Sequence, residues 1–124
     1  MGYYEDLPEL DINEGLDDMR LFKNTVLVDV REPEEYNEGH VPGAINIDAA
    51  LCVRKNQANI EKMLPDKSAR IYMYCYSGAR SGMAAASLRL MGYRAENIGG
   101  YKDYTGPVSA NSCATGCVNG DGSF

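Results

Sequence analysis

Short apolar runs alternate along this chain with segments whose apolar residues recur at helical spacing. VLVDV (Val26 to Val30) is brief and β-branched, as a strand covered on both faces of a sheet tends to be. RIYMYC (Arg70 to Cys75) has the same character. AINID (Ala44 to Asp48) and AENI (Ala95 to Ile98) read as weaker strands, and Leu10 to Ile12 as a first one. Between them, Leu16, Met19 and Phe22 share one helical face across Asn13 to Lys23. Pro33 with Glu34 and Glu35 suits the start of a short helix, and Asn56 to Leu64 a helix ending near Pro65. Ser81 to Met91 is the strongest helical segment, closed by Gly92. Gly39, Pro42 and Gly43 mark turns. Strands alternating with helices predict an α/β fold around a parallel sheet. From Ser109 to Phe124 all periodicity is lost, and this tail is expected to be mobile.

A chain of 124 residues fits one domain, and a chain of that size buries roughly two-thirds of the surface its unfolded form exposes. With 24% charged and 44% hydrophobic residues, and no run of about 18 apolar residues, it reads as soluble and globular. The start MGYYEDLPEL lacks the basic and apolar regions of a secretory signal, and Asp6 stands where a myristoylation site wants Ser or Thr. The expected location is therefore cytoplasmic. A net charge of -6 argues against nucleic acid as a partner, because phosphate binding needs a basic face. Any anion must be held locally.

Four cysteines in a chain of this kind point to catalysis, redox chemistry or metal binding before a disulfide framework. Cys52 and Cys75 stand alone, while Cys113 and Cys117 form a C-x3-C pair in the tail. Cys75 ends a strand and is followed by a small loop and a helix start. In open α/β sheets, ligands collect at the carboxyl ends of strands, where the next helix presents unpaired N–H groups and its positive dipole end. Those groups and Arg80 favour thiolate over thiol and make Cys75 a nucleophile near neutral pH. An inert buried thiol is the competing reading; the loop and the helix after it favour reactivity.

The stretch YCYSGARSG (Tyr74 to Gly82) resembles the active-site loop of rhodanese-domain sulfurtransferases, in which a cysteine opens a six-residue loop before a helix. VLVDVREPEEYNEGHVPGAINID (Val26 to Asp48) resembles the amino-terminal signature of the same family. The resemblance spans residues 10–108, leaving 1–9 as an extension and 109–124 as a Cys/Gly/Ser-rich tail. It implies a rhodanese-like fold, a five-stranded parallel sheet flanked by helices on both faces. It also implies a sulfurtransferase that moves sulfane sulfur from thiosulfate or a persulfide donor to a thiol or cyanide through a Cys75 persulfide. The N–H groups of Tyr76, Ser77, Gly78, Ala79, Arg80 and Ser81 would cradle the added sulfur. The expected partners are a small donor and a thiol acceptor, or a protein that receives sulfur; no metal or organic cofactor is required. The alternative from another class is a persulfide carrier without turnover, or a redox-sensing interaction module. Cysteine phosphatases carry Cys-x5-Arg, and the tighter Cys75-x4-Arg80 spacing suits one sulfur atom better than a phosphoryl group.

Asp29 and Arg31 are candidates to support the pocket, although pairing with each other is the preferred reading. His40, the single histidine, is assigned to a turn before a general-base role. Arg80 orients the loop or holds an anionic substrate, and Cys52 is assigned to packing. Tyr76, Ser77 and Ala79 carry no charge, so the thiosulfate dianion is expected to be held weakly. YKDYTGP (Tyr101 to Pro107) is shorter than the family's usual helix, with Tyr104 in the approximate place of its aromatic residue. In the tail, Cys113 and Cys117 are exposed thiols, a small disulfide, or a source of one thiol that resolves the Cys75 persulfide. Two thiols and a distant His40 fall short of the four ligands zinc wants.

Overall fold

The computed structural model describes residues 11–54 and 57–110. Its strands are β1 (Thr25–Asp29), β2 (Ile45–Asn46), β3 (Arg70–Cys75) and β4 (Arg94–Gly100). They form one sheet in the order β2-β1-β3-β4, every pairing parallel. Parallel neighbours need a crossover, and each one carries helix. Helix α2 (Pro33–Glu38) lies between β1 and β2, α3 (Ala49–Val53) and α4 (Gln57–Met63) between β2 and β3, and α5 (Ala79–Leu90) between β3 and β4. Helix α1 (Ile12–Met19) precedes the sheet, and a 3-10 turn, Tyr101–Asp103, follows it.

The two-residue period of a strand sends the side chains of β3 into two separate cores. Ile71, Met73 and Cys75 join Val28, Val30, Ile60 and Leu88 on the face covered by α3, α4 and α5. Tyr72 and Tyr74 join Ile12, Leu16, Leu27 and Ile98 on the face covered by α1. Helix α5 presents Gly82, Ala84 and Ala85 inward, and these small residues let it lie close against β3 and β4. Each fully buried Leu or Ile side chain stabilises the fold by about 1.5 to 3 kcal/mol. Helices therefore flank the sheet on both faces, in the α/β class expected.

Four strands are present among the described residues, against the five expected. The expected strand at Leu10 to Ile12 is replaced at Ile12 by the first turn of α1, while Leu10 lies outside the described residues. Asp11 caps that helix: its carboxylate accepts the Glu14 N–H at 3.0 Å and the Glu14 carboxylate accepts the Asp11 N–H at 3.0 Å, a reciprocal box that fixes a helix start. AINID contracts to Ile45–Asn46, because Asp48 turns to cap α3 through the Ala50 N–H. At the other end, Ser109 pairs antiparallel with His40. The expectations for Cys113 and Cys117 fall outside the described residues.

Candidate active site

Cys75 is the last residue of β3, and three residues separate it from the first turn of α5. Gly78 occupies the cap position with φ +102°, a left-handed conformation that costs glycine little and other residues more. In that conformation its N–H points back at the strand end and donates to Cys75 Sγ at 3.0 Å. The Ser81 hydroxyl approaches the same sulfur at 3.5 Å. Burial pushes the Cys75 thiol up, yet the Ser81 hydroxyl and the N–H groups of Ser81, Gly78 and Ser77 outweigh it, so its pKa lies below the ordinary thiol value. The sulfur is thus placed to be an anion ligated by the amino end of a helix. Cys52 shows the opposite balance: burial, then the Asp48 charge, push it up to about 11. It remains a thiol and packs in the core.

The loop rests on the end of β4. A Cβ on Gly100 would collide with the Tyr76 carbonyl oxygen, so only glycine lets the loop lie where it does. Asn97 reaches the loop from the same strand: its Nδ2 donates to the Gly78 carbonyl at 3.0 Å, and its Oδ1 accepts the Gly99 N–H at 3.0 Å and the Ser81 hydroxyl at 2.7 Å. The strand slips its register here, with Met73 opposite Asn97 but Tyr74 opposite Gly99. Sequence reasoning missed Asn97. The available signal was an asparagine inside an apolar strand, a residue type that strands disfavour.

Of the six residues expected to cradle sulfur, Gly78 and Ser81 are buried, while Tyr76, Ser77 and Ala79 are exposed. Arg80, half-buried, is committed elsewhere: its guanidinium donates to both carboxylate oxygens of Glu35, at 2.8 and 3.2 Å. The Arg80 contact holds Glu35 below the usual carboxylate range. Glu35 also accepts the Glu32 N–H at 2.9 Å, which fixes it on the first turn of α2. Its role was not read from the sequence, since its partner lies 45 residues away. Beside Arg80 opens a pocket of about 340 Å³, with Glu32 and Asp48 as its carboxylates and Ala49, Val53 and Met83 among its apolar walls. Cys75 does not line it.

Asp29 and Arg31 bind each other, Nη2 to Oδ2 at 2.8 Å, with side chains 0% and 5% exposed. Arg31 stacks over the Tyr101 ring at 4.4 Å and donates to the Gly39 carbonyl. Asp29 belongs to the α1 face by strand alternation with Val28, so the pair braces the turn after β1 on the other side of the sheet from the sulfur. His40 stacks on Tyr36 with ring centroids 3.7 Å apart and places Nδ1 2.8 Å from the Tyr36 carbonyl, which makes it part of that turn. No group of three or more His, Cys, Asp or Glu among the described residues is disposed to hold a metal ion.

The model of the rhodanese-like domain matches residues 13–106. The thiosulfate sulfurtransferase PspE of Escherichia coli is 42% identical over 81 residues, covering 64% of this chain and 74% of that protein. The thiosulfate:glutathione sulfurtransferase of Saccharomyces cerevisiae is 40% identical over 77 residues, covering 56% and 55%. A solved rhodanese with anions from E. coli superposes with a TM-score of 0.60 at 39% identity, covering 69% of this chain and 98% of that one. The family match takes in β1 through β4 together with the cysteine loop between β3 and α5, and the chain belongs to the rhodanese-like domain family.

Proposed function

We propose that this protein is a sulfurtransferase that carries sulfane sulfur on Cys75. The observation that carries the reading is the Gly78 N–H at 3.0 Å from Cys75 Sγ at the start of α5, since a sulfur so placed is favoured as the thiolate that attacks the donor and is regenerated when the acceptor takes the added sulfur. With thiosulfate, the Cys75 thiolate attacks the outer sulfur. A new S–S bond forms to Cys75, the donor's S–S bond breaks, and its electron pair leaves with sulfite. The enzyme then holds Cys75–S–S⁻. An acceptor thiolate attacks the terminal sulfur, takes it as a persulfide and returns the Cys75 thiolate; cyanide takes it as thiocyanate. Charge balances in both steps, and no outside oxidant is consumed.

Support comes also from the activities named for PspE and the yeast relative. Because Cys75 is 0% exposed, the loop must yield to admit the donor's sulfur. A low-molecular-weight thiol, or a cysteine on an acceptor protein, would approach across the exposed Tyr76 and Met83, and the thiol-rich cytoplasm suits such an exchange. Incubation with a sulfane donor should add one sulfur atom to the intact mass, removable by cyanide and absent in Cys75→Ser. Repeated turnover with small acceptors supports the enzyme. Loading once, with release only to a specific protein, would replace it with a carrier or sensor.

A further inference from the structure

Asn97 carries a primary amide inside β4 at 6% exposure, where polar atoms are costly unless bonded. Its orientation is fixed by its neighbours. The Gly99 N–H can only donate and the Gly78 carbonyl can only accept, so Oδ1 faces Gly99 and Nδ2 faces Gly78. Ser81 Oγ lies 2.7 Å from that Oδ1. An amide oxygen has no hydrogen, so the hydroxyl must donate. Ser81 has a single hydroxyl proton, and at rest it is turned to Asn97; Cys75 Sγ and the Gly99 carbonyl, each 3.5 Å away, are the other acceptors in reach.

We propose that Asn97 is a positioning residue for Cys75, pinning Gly78 so that its N–H aims at the sulfur and parking the Ser81 hydroxyl where it can swing to that sulfur as negative charge builds there. The Gly78 carbonyl accepts both Asn97 Nδ2 at 3.0 Å and the Gly82 N–H at 3.1 Å. The two bonds hold the carbonyl side of Gly78 toward β4 and α5, leaving its N–H side to the sulfur. Strand β4 thereby governs a reaction it does not touch. The inference deepens the sulfurtransferase reading, but its test requires no sulfur donor.

The test is the pH profile of Cys75 alkylation by iodoacetamide in the intact protein. The charged group that acts on the sulfur is Arg80 on α5, which Glu35 and Glu32 at α2 act on in turn, and Asn97→Ala changes none of them. Removing Asn97 also frees the Ser81 proton to reach Cys75, so the comparison is made without that hydroxyl: from Ser81→Ala to the double variant Ser81→Ala/Asn97→Ala the profile should move to higher pH, lowering reactivity below the midpoint by about tenfold per unit of displacement, with the high-pH plateau retained. A fall in melting temperature with an unmoved profile would assign Asn97 to structure alone and overturn the proposal. A measurement on the unaltered protein covers a variant that does not fold. The side-chain amide resonances of Asn97 should titrate with the same midpoint as Cys75 alkylation and stay fixed in Cys75→Ser; resonances that ignore the Cys75 titration would overturn the proposal equally. Failure of Cys75 to load sulfur, with both results as expected, would instead count against the sulfurtransferase reading.

Discussion

Arg80 and Glu35 are joined at two points, Nη1 to Oε1 at 2.8 Å and Nη2 to Oε2 at 3.2 Å, and this clasp ties the cysteine loop to α2. Arg80 is the single basic residue between Cys75 and Ser81. Its charge is therefore offset by a carboxylate before any substrate arrives, with Glu32 and Asp48 in the adjoining pocket adding more negative charge. A dianionic donor meets a surface that opposes it.

Glu35→Gln should accordingly improve the use of thiosulfate. The pair is 41% and 33% exposed, so its loss should cost less than about 1 kcal/mol of stability, while the charge presented to the donor rises by one. Steady-state assays at low ionic strength should show a lower KM for thiosulfate, and the gain should shrink as salt screens the site. A KM that rises together with a fallen kcat would show instead that the clasp serves chiefly to order the loop.

Arg80→Ala should move the other way, removing the remaining positive charge and the clasp together. A charge-assisted contact from Arg80 to the anionic donor would contribute about 1.5 to 3 kcal/mol, so its loss corresponds to roughly tenfold or more in rate. The quantity to measure is kcat/KM with thiosulfate, and an unchanged value would show that neither the charge nor the clasp of Arg80 contributes to the reaction.

The depressed Cys75 pKa sets a pH dependence with a definite sign. Above its folded-state value the residue is thiolate and the loading rate should be flat; below it the rate should fall about tenfold per unit. Ser81→Ala removes one of the groups that favour the anion and should shift this acid limb to higher pH. The linkage to stability has the same sense: the contribution is complete above the unfolded thiol value of about 8.5 and is lost as pH falls through the folded one. Denaturant titrations should show that slope in the native protein and lose it in Cys75→Ser.

The central frame was legible because β1, β3 and α5 each carry a strong local pattern, and Cys75 stands at the junction of two of them. Leu10 to Ile12 misled because three residues cannot distinguish strand from helix; Asp11 and Glu14, spaced as a capping box, held the better signal. β2 was overestimated because capping of α3 by Asp48 competes with strand extension. Glu35 and Asn97 escaped for a different reason. They act on the loop across 45 and 19 residues of chain, and side-chain contacts of that span leave no periodic trace. Ser81 to Met91 was placed well because its alanines and leucines favour helix and Gly92 ends it, although Ala79 and Arg80, which open the helix, were read as loop.

Asp29→Ala should separate bracing from chemistry. It leaves Arg31, 5% exposed in its side chain, buried without its carboxylate, and breaking such a pair from one side costs about 3 to 5 kcal/mol. Chemical denaturation should register that loss. In whatever fraction remains folded, Cys75 alkylation should keep its pH profile, because Asp29 lies on the opposite face of the sheet; a displaced profile would bring Asp29 into the electrostatics of the site.

Gly100→Ala tests whether the loop's position, rather than its composition alone, makes Cys75 reactive. Gly100 has ordinary extended dihedrals, φ -127° and ψ 139°, so alanine brings no backbone strain of its own. What it brings is a collision: the new Cβ would overlap the Tyr76 oxygen and lie 2.8 Å from Ser77 backbone carbons. These are backbone atoms, and only displacement of the loop relieves the contact, at a cost of about 1 to 3 kcal/mol. The same segment leads into Gly78, so the N–H aimed at Cys75 should move with it. The expected outcome is a folded protein by circular dichroism whose Cys75 alkylates at higher pH and loads sulfur several-fold more slowly. Gly43→Ala is the matched control. Gly43 has φ +89°, and a methyl group added there would meet nothing within 4 Å, so alanine costs about 1 to 2 kcal/mol of backbone strain and should leave Cys75 untouched. Equal reactivity in the two variants would mean that the loop tolerates the shift and that the sulfur owes its character to the helix end alone.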